Sequence, residues 1–592
     1  MGALAAVLCR HDEPEPSVVR RMLAASPHRG SAVEVRVHGR AVLGISNDER
    51  LHDASLFVDH GFAVAFAGRL DNANELERRF LGARTGPEAP SPAAIVLSAF
   101  RSSRTAAPGP MRGTFAAAVT DGETMWCWRD HYAFGQLFYR QEGAAFFLGT
   151  EPKQVIAGTR ISAEPDLEVV ERIFYADIDE DMPSAMKGVA AVRKARIAET
   201  DGTAIRYHVY WDPRSLLETA RLTRDEIGER FDELMTQAVA RTLSGNDVVS
   251  LSGGVDSPAL AAYGAPVHLD LSGRPLAALS TVYPDYPSVD ELKYITLVSE
   301  RLGMPLHAYQ SQARTLDDLV EWARLCDGPM PVLPPGPAAE HYGRARALGY
   351  STMLTGDQAE LVFEWSQQLA SHLLCKRRFR ALRRHLASRR ALGTARARIA
   401  RQLVGGLLPH PVAVARARRH TGSLEWLDHA KLVEIGSRFV VTPRKRWAKA
   451  QLSFYTGSGI GLEADAICQA VAGIRVRRPW ADIDLYEFFL SLPAEVKFPY
   501  VTRGGKALVR ELLRGRVPDV ILDREDKTYF NDYMMDRIDY PSFRKYLVNP
   551  KYRISGVNYE VLERRIERED FEVGDYKWAL DLAKCHAFLS LW

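Results

Sequence analysis

No apolar run in this 592-residue chain reaches the roughly 18 residues that span a bilayer, which argues against a transmembrane helix. The opening stretch MGALAAVLC lacks a basic n-region and a small-residue cleavage site, so no signal peptide is expected. Ala6 stands where a myristoylation signal needs Ser or Thr. Cysteine is scarce and scattered: Cys9, Cys127, Cys326, Cys375, Cys468 and Cys585 form no C-x-x-C pair. That spacing excludes a zinc-finger or disulfide framework and fits a soluble, cytoplasmic protein. Low-complexity linkers and internal repeats are also missing. Between Ser371 and His420 there is no acidic residue at all, against thirteen arginines and one lysine. That block alone outweighs the net charge of +3, so the remainder of the chain is acidic. It reads as the solvated face of a helix pair or as a docking surface for an anionic partner. Aromatic interleaving is lacking there, so nucleic acid is not expected as a partner.

The composition, 46% hydrophobic and 26% charged, is that of a globular protein, and the length calls for two or more domains. Up to about residue 205, short apolar or alternating runs end in Gly, Asp or Asn: EVRVHGRAVLGIS, GFAVAFAG, GTFAAAVTDGETMWCWRD and GAAFFLGT. With helices over AAIVLSAF and DNANELERRFL, this predicts an antiparallel α+β domain over 1–205. A turn-rich joint, Tyr210 to Asp225, leads into a second domain over 215–592. There strands (DVVSL, LAALSTVYPD, YSTMLTGD) alternate with helices, which predicts a doubly wound parallel sheet with helical additions. Ligands in such sheets bind beyond the carboxyl ends of the strands.

One turn beyond a strand end is chemically specific. Leu251 is followed by Ser252, Gly253, Gly254, Val255, Asp256 and Ser257, and a helix begins at once. Ser257 suits the N-cap and Pro258 the first helical position. The two glycines permit close backbone approach and positive φ. Amides at a helix N-terminus attract an anion, so the turn reads as a phosphate site. It is no Walker A loop, because an acid, Asp256, stands where that motif has lysine; a magnesium ion bridging phosphates suits it.

SGGVDS resembles the pyrophosphate-binding motif of the ATP pyrophosphatases, and the whole chain resembles the asparagine synthetase family. MRGTFAAAVTDGE, WRDHYAFGQLFYR and FFLGTEPKQV resemble its N-terminal glutaminase-type (Ntn) sandwich. YWDP, STVYPDYPSVDELKYI, MLTGDQAELVF and GIRVRRPWADIDLYEFFLSLPAEVKF follow its synthetase domain in order. The resemblance implies ATP and Mg²⁺, with Leu251, Ser252, Gly253, Gly254, Asp256, Ser257, Ser280, Thr281, Val282, Gly356 and Lys527 meeting the nucleotide. Asp256 and Glu360 would hold the metal, and Lys506 would stabilise the adenylation transition state. Asp357 falls where relatives keep an amine-activating residue; it either serves that role or caps the following helix. Arg477 and Asp482 match a stretch that shapes the acceptor pocket, or else they pair structurally.

Against the family pattern, three glutaminase features are missing. Gly2 replaces the nucleophilic cysteine, Ala67-Gly68 replaces an oxyanion-hole Asn-Gly pair, and Ile45–Asn47 replaces the HER strand that holds the glutamine carboxylate. Glutaminase activity and an ammonia supply are therefore not expected, and the amine must arrive with the substrate. Among members with a decayed glutaminase domain, the length and the Arg-rich insertion followed by SLEWLDH look most like lasso peptide cyclases. Those close a macrolactam on a linear core peptide after a precursor-processing peptidase has acted. The alternatives are a β-lactam synthetase, an asparagine synthetase using free ammonia, or a noncatalytic binding protein of this fold.

Overall fold

The computed structural model describes all residues except 1, 12–13, 49–50, 83–88, 180–181, 332–334, 360–368, 395–402, 404–423, 440–442, 458, 460, 502–504 and 526–527. Among the described residues, twelve strands build the first domain: β1 (Ala3–Cys9), β2 (Ala32–His38), β3 (Ala41–Asn47), β4 (Ala54–Asp59), β5 (Phe62–Leu70), β6 (Gly113–Thr120), β7 (Met125–Arg129), β8 (Phe138–Glu142), β9 (Ala145–Gly149), β10 (Ala190–Ala191), β11 (Arg196–Thr200) and β12 (Ile205–Val209). They form two six-stranded antiparallel sheets, β10-β8-β9-β1-β3-β2 and β12-β11-β7-β6-β5-β4.

Both faces of each sheet are covered, which explains why β1 reads ALAAVLC rather than alternating with polar residues. One face of β1 (Leu4, Ala6, Leu8) joins Ala65, Ala118 and Phe146 between the sheets. The other (Ala3, Ala5, Val7) packs on Val19, Met22 and Leu23 of the Pro16–Ala24 helix. The second sheet is covered by the Pro92–Ser103 helix, started by Pro at its first turn and a Ser91 hydroxyl that accepts from the Ala94 amide.

The second domain holds a five-stranded parallel sheet: β13 (Asp247–Ser250), β14 (Ala277–Thr281), β15 (Leu306–Tyr309), β16 (Thr352–Leu354) and β17 (Arg475–Arg477). Its order is β15-β14-β13-β16-β17. The chain winds outward from β13 on one side, then crosses to the other, so the topological switch lies between β13 and β16. The Arg224–Thr242 helix that precedes β13 starts with a reciprocal capping box of Thr223 and Glu226. No helix among the described residues is long and apolar enough to cross a membrane. The arginine-rich stretch opens on helices Leu369–Cys375 and Phe379–Ala391, where Arg378 pairs with Glu495 at 2.5 Å and Glu218 at 3.5 Å. Most of that stretch beyond Thr394 lies outside the described residues.

The positions that depart from the glutaminase pattern are packed shut. A Cβ on Gly2 would lie 2.6 Å from the Ser46 carbonyl oxygen and 2.9 Å from the Ala54 Cβ. Asn47 spends its side chain on Ala54, donating to its carbonyl at 2.8 Å and accepting from its amide at 2.7 Å. The Gly68 amide is taken by the Asp53 carbonyl at 2.7 Å. Gly2→Cys is therefore expected to destabilise the domain by about 1–3 kcal/mol, as overpacking does, and to release no ammonia from glutamine. Denaturant titration and an ammonia assay check this; a fully stable Gly2→Cys protein would contradict the packing argument.

Candidate active site

β13 ends at Ser250, the turn runs through Val255, and the Asp256–Ser272 helix follows. The turn sits at the sheet's switch point, where open α/β sheets leave a crevice for ligands. The helix begins two residues earlier than the sequence suggests, so Ser257 is not its N-cap and Pro258 is its third residue. The Ser257 hydroxyl instead turns back, accepting from the Ser252 amide at 2.9 Å and meeting the Ser252 hydroxyl at 3.0 Å. Proline still fits, because amides in the first turn have no intrahelical partner. Neither Gly253 nor Gly254 has positive φ. Gly253 is required for space: a Cβ there would lie 2.8 Å from the Glu291 Cβ.

The turn after β16 comes equally close. A Cβ on Gly356 would lie 2.9 Å from the Ser257 amide nitrogen and 3.0 Å from the Asp256 Cβ. Asp357 therefore stands beside the phosphate turn, 56% exposed, accepting from the Thr355 hydroxyl at 2.9 Å and 3.8 Å from Arg478 Nε. The helix it was considered to cap lies outside the described residues. Arg478 is buried and fixed by Asp465 at 2.5 Å, which also accepts from the Tyr342 hydroxyl at 2.6 Å.

Lys506 reaches this point from 250 residues away. Its Nζ lies 2.5 Å from Asp256 Oδ2, and the side chain is only 8% exposed. Its backbone is left-handed (φ 57°), an unfavourable setting for a residue with a Cβ. Trp480 Nε1 donates to the Asp256 carbonyl at 3.1 Å and steadies it from the other side. The second carboxylate oxygen of Asp256, Oδ1, is buried with no hydrogen-bond partner among the described residues. An orphaned anionic oxygen fits a magnesium ligand. No group of three or more His, Cys, Asp or Glu that could hold a metal ion gathers among the described residues. Glu360 and Lys527 lie outside the described residues.

At the ends of β13 and β14, the sheet keeps several polar groups for itself. Leu251 donates its amide to the Leu279 carbonyl at 3.0 Å and accepts at its carbonyl from the Ser280 hydroxyl at 2.8 Å. The Val282 amide is taken by the Tyr309 carbonyl at 2.9 Å. These groups fix the strand ends.

Arg477 and Asp482 join the domains. Arg477 pairs with Asp71 at 2.5 Å; burial pushes the guanidinium down to about 10 and the carboxyl up, and their mutual attraction opposes both shifts. Asp482 accepts from the Asp484 and Leu485 amides as a helix N-cap and lies 3.3 Å from Arg241. Both line a cavity of about 50 Å³ between the domains, with Asp71, Arg112, Asp130 and His131. Both residues thus make the structural pairs that the sequence left open as an alternative, and both also line this cavity.

Three side chains at the turn escape the sequence reading: Glu291, Arg524 and Thr528. The Gly253 amide donates to Glu291, and Arg524 binds both Glu291 and the Gly253 carbonyl. Arg524 stands three residues before Lys527, in a stretch already suspected of meeting pyrophosphate; Glu291 carries no local signal.

Residues 230–584 match the family described as asparagine synthase, and residues 45–157 the glutamine amidotransferase domain. A curated relative, asparagine synthetase [glutamine-hydrolyzing] 3 of Bacillus subtilis (strain 168), is 26% identical over 235 residues. Those residues cover 39% of this chain and 38% of the relative's length. Among solved structures, a glutamine phosphoribosylpyrophosphate amidotransferase from B. subtilis is 11% identical with a TM-score of 0.27, covering 52% of this chain and 80% of that one. An allosteric regulatory enzyme of purine biosynthesis matches at 11% and 0.26 over the same shares. Likeness at that level carries no argument. The asparagine synthase match spans more than half of the chain, and the protein belongs to that family.

Two substitutions separate chemistry from scaffold. Lys506→Ala is expected to slow AMP formation about 10²- to 10³-fold with the fold retained, as loss of one electrostatic partner of a transition state does. Arg477→Ala should instead destabilise, by at most about 3–5 kcal/mol, because it leaves buried Asp71 with only the more distant Arg69 at 3.6 Å. Denaturant titration beside single-turnover AMP release checks both; a stable Arg477→Ala enzyme with impaired acceptor use would restore that residue to the pocket.

Proposed function

We propose that this protein is an ATP-dependent carbon–nitrogen ligase that activates a substrate carboxylate as its adenylate and closes a macrolactam within a ribosomally made peptide. The observation that carries the activation step is the Asp256–Lys506 pair at the switch point, under the close approach of Gly356. A carboxylate is a poor electrophile at neutral pH. Attack of its oxygen on the α-phosphorus of ATP expels pyrophosphate and gives a mixed anhydride, which an amine then opens with loss of AMP. Magnesium, when bound, screens the phosphate charge. Asp256 supplies an anionic oxygen toward it, and Lys506 is aimed at the charge that develops beside Asp256. Asp357, exposed and beside Arg478, is suited to take a proton from the incoming ammonium, so that the neutral amine can attack the mixed anhydride.

The closed packing at Gly2, Asn47 and Gly68 favours an amine that comes with the substrate rather than from glutamine. The N-terminal amine of a linear core peptide, delivered by a precursor-processing peptidase, meets that requirement. In this reading the arginine-rich stretch docks an anionic peptide or partner.

With ATP, magnesium and a linear core peptide, the enzyme is expected to give a product one water lighter, with one AMP released per ring. Formation of ADP, or amide product only from free ammonia and a free amino acid, would overturn the macrolactam reading. Mass spectrometry of the peptide beside nucleotide chromatography distinguishes these outcomes.

A further inference from the structure

The glycine turn already carries an anion of its own. Glu291 Oε2 accepts from the Gly253 amide at 2.9 Å. Glu291 Oε1 accepts from Arg524 Nη1 and from the Thr528 hydroxyl, each at 2.7 Å. Arg524 also donates to the Gly253 carbonyl at 3.0 Å and, through Nη2, to the Thr528 hydroxyl at 2.7 Å. The pair is mostly buried, Arg524 at 10% exposure and Glu291 at 18%. The Tyr294 ring backs the guanidinium at 4.5 Å, and Arg510 pins the segment by donating to the Leu522 and Arg524 carbonyls at 2.6 and 3.1 Å. An amide of a phosphate-type turn, a guanidinium and a hydroxyl are the donors a phosphate oxygen needs. Here a carboxylate receives all three.

We propose that Glu291 is a resident competitor for the pyrophosphate end of the nucleotide, and that Arg524 and Thr528 are pyrophosphate-binding residues shared between the two anions. Both anions draw on the same donors, so binding of one displaces the other. Arg524 then keeps an anionic partner throughout, which spares the cost of leaving a buried cation unpaired. After adenylation, the return of Glu291 to the Gly253 amide and Arg524 drives pyrophosphate out. This rests only on the nucleotide half of the function proposed above; it does not require a peptide acceptor.

The test uses the full chain with magnesium pyrophosphate and with ATP. Glu291→Gln preserves shape and an acceptor for Gly253 but removes the charge. It is expected to bind magnesium pyrophosphate about tenfold more tightly in calorimetry, the scale of one charge-assisted hydrogen bond, and to lower the KM for ATP while kcat falls through slow product release. Arg524→Ala should weaken pyrophosphate about tenfold or more, with Arg524→Lys partly restoring it, and the double variant should lose the gain from Glu291→Gln. Unchanged or weaker pyrophosphate binding by a folded Glu291→Gln protein would overturn the proposal, leaving Glu291 as a brace for the turn. Absence of any ATP or pyrophosphate binding by the parent chain would sink the ligase reading and this proposal together. Failure of cyclisation with pyrophosphate competition intact would sink only the peptide acceptor.

Discussion

The approach of Gly356 to the backbone of Asp256 and Ser257 is the constraint on which the site depends. The two turns come from strands on either side of the topological switch, and they meet with no room for a side chain between them. That contact sets Asp357 beside the glycine turn and fixes the Asp256 backbone, whose carboxylate meets Lys506 from the last third of the chain. A larger residue at 356 would part the turns and separate the Asp256 carboxylate from its neighbours.

Electrostatics around the turn is arranged in pairs. Lys506 answers one oxygen of Asp256, and the other is buried without a hydrogen-bond partner among the described residues. Arg478 stands between Asp465 and Asp357. Arg524 stands between Glu291 and the turn's own carbonyl. Each of these cations is nearly buried and paired with an anion, so its position is set before any ligand arrives, the kind of preorganisation on which electrostatic catalysis relies.

What the sequence made legible was local. The strand–turn–helix around Ser252–Ser257 and the β2–β3 and β6–β7 hairpins could be read from residue type and period, because the signal lies within a dozen residues. β15 and β17, four and three residues long, are too short to show a period and were not foreseen. The N-cap expectation for Ser257 failed because its hydroxyl had a nearer donor in the Ser252 amide. Residue type could not tell whether Arg477 faces a pocket or an interface, since its partner, Asp71, lies 406 positions away. Glu291 and Arg524 were hidden for the same reason: they meet across 233 residues.

The first domain grips the edge of the second sheet with its acids. Asp53 holds Arg475 and Asp71 holds Arg477, the two ends of β17, while Arg112 holds Asp484 just beyond. Arg478 follows directly on that strand, so the sandwich fixes the ground on which the residue beside Asp357 stands. Its closed nucleophile position does not make the sandwich a dispensable relic. Stripped of it, the edge strand would carry two cations without counter-charges into the wall of the ligand crevice, and the remaining half would have to be rebuilt before it could work alone.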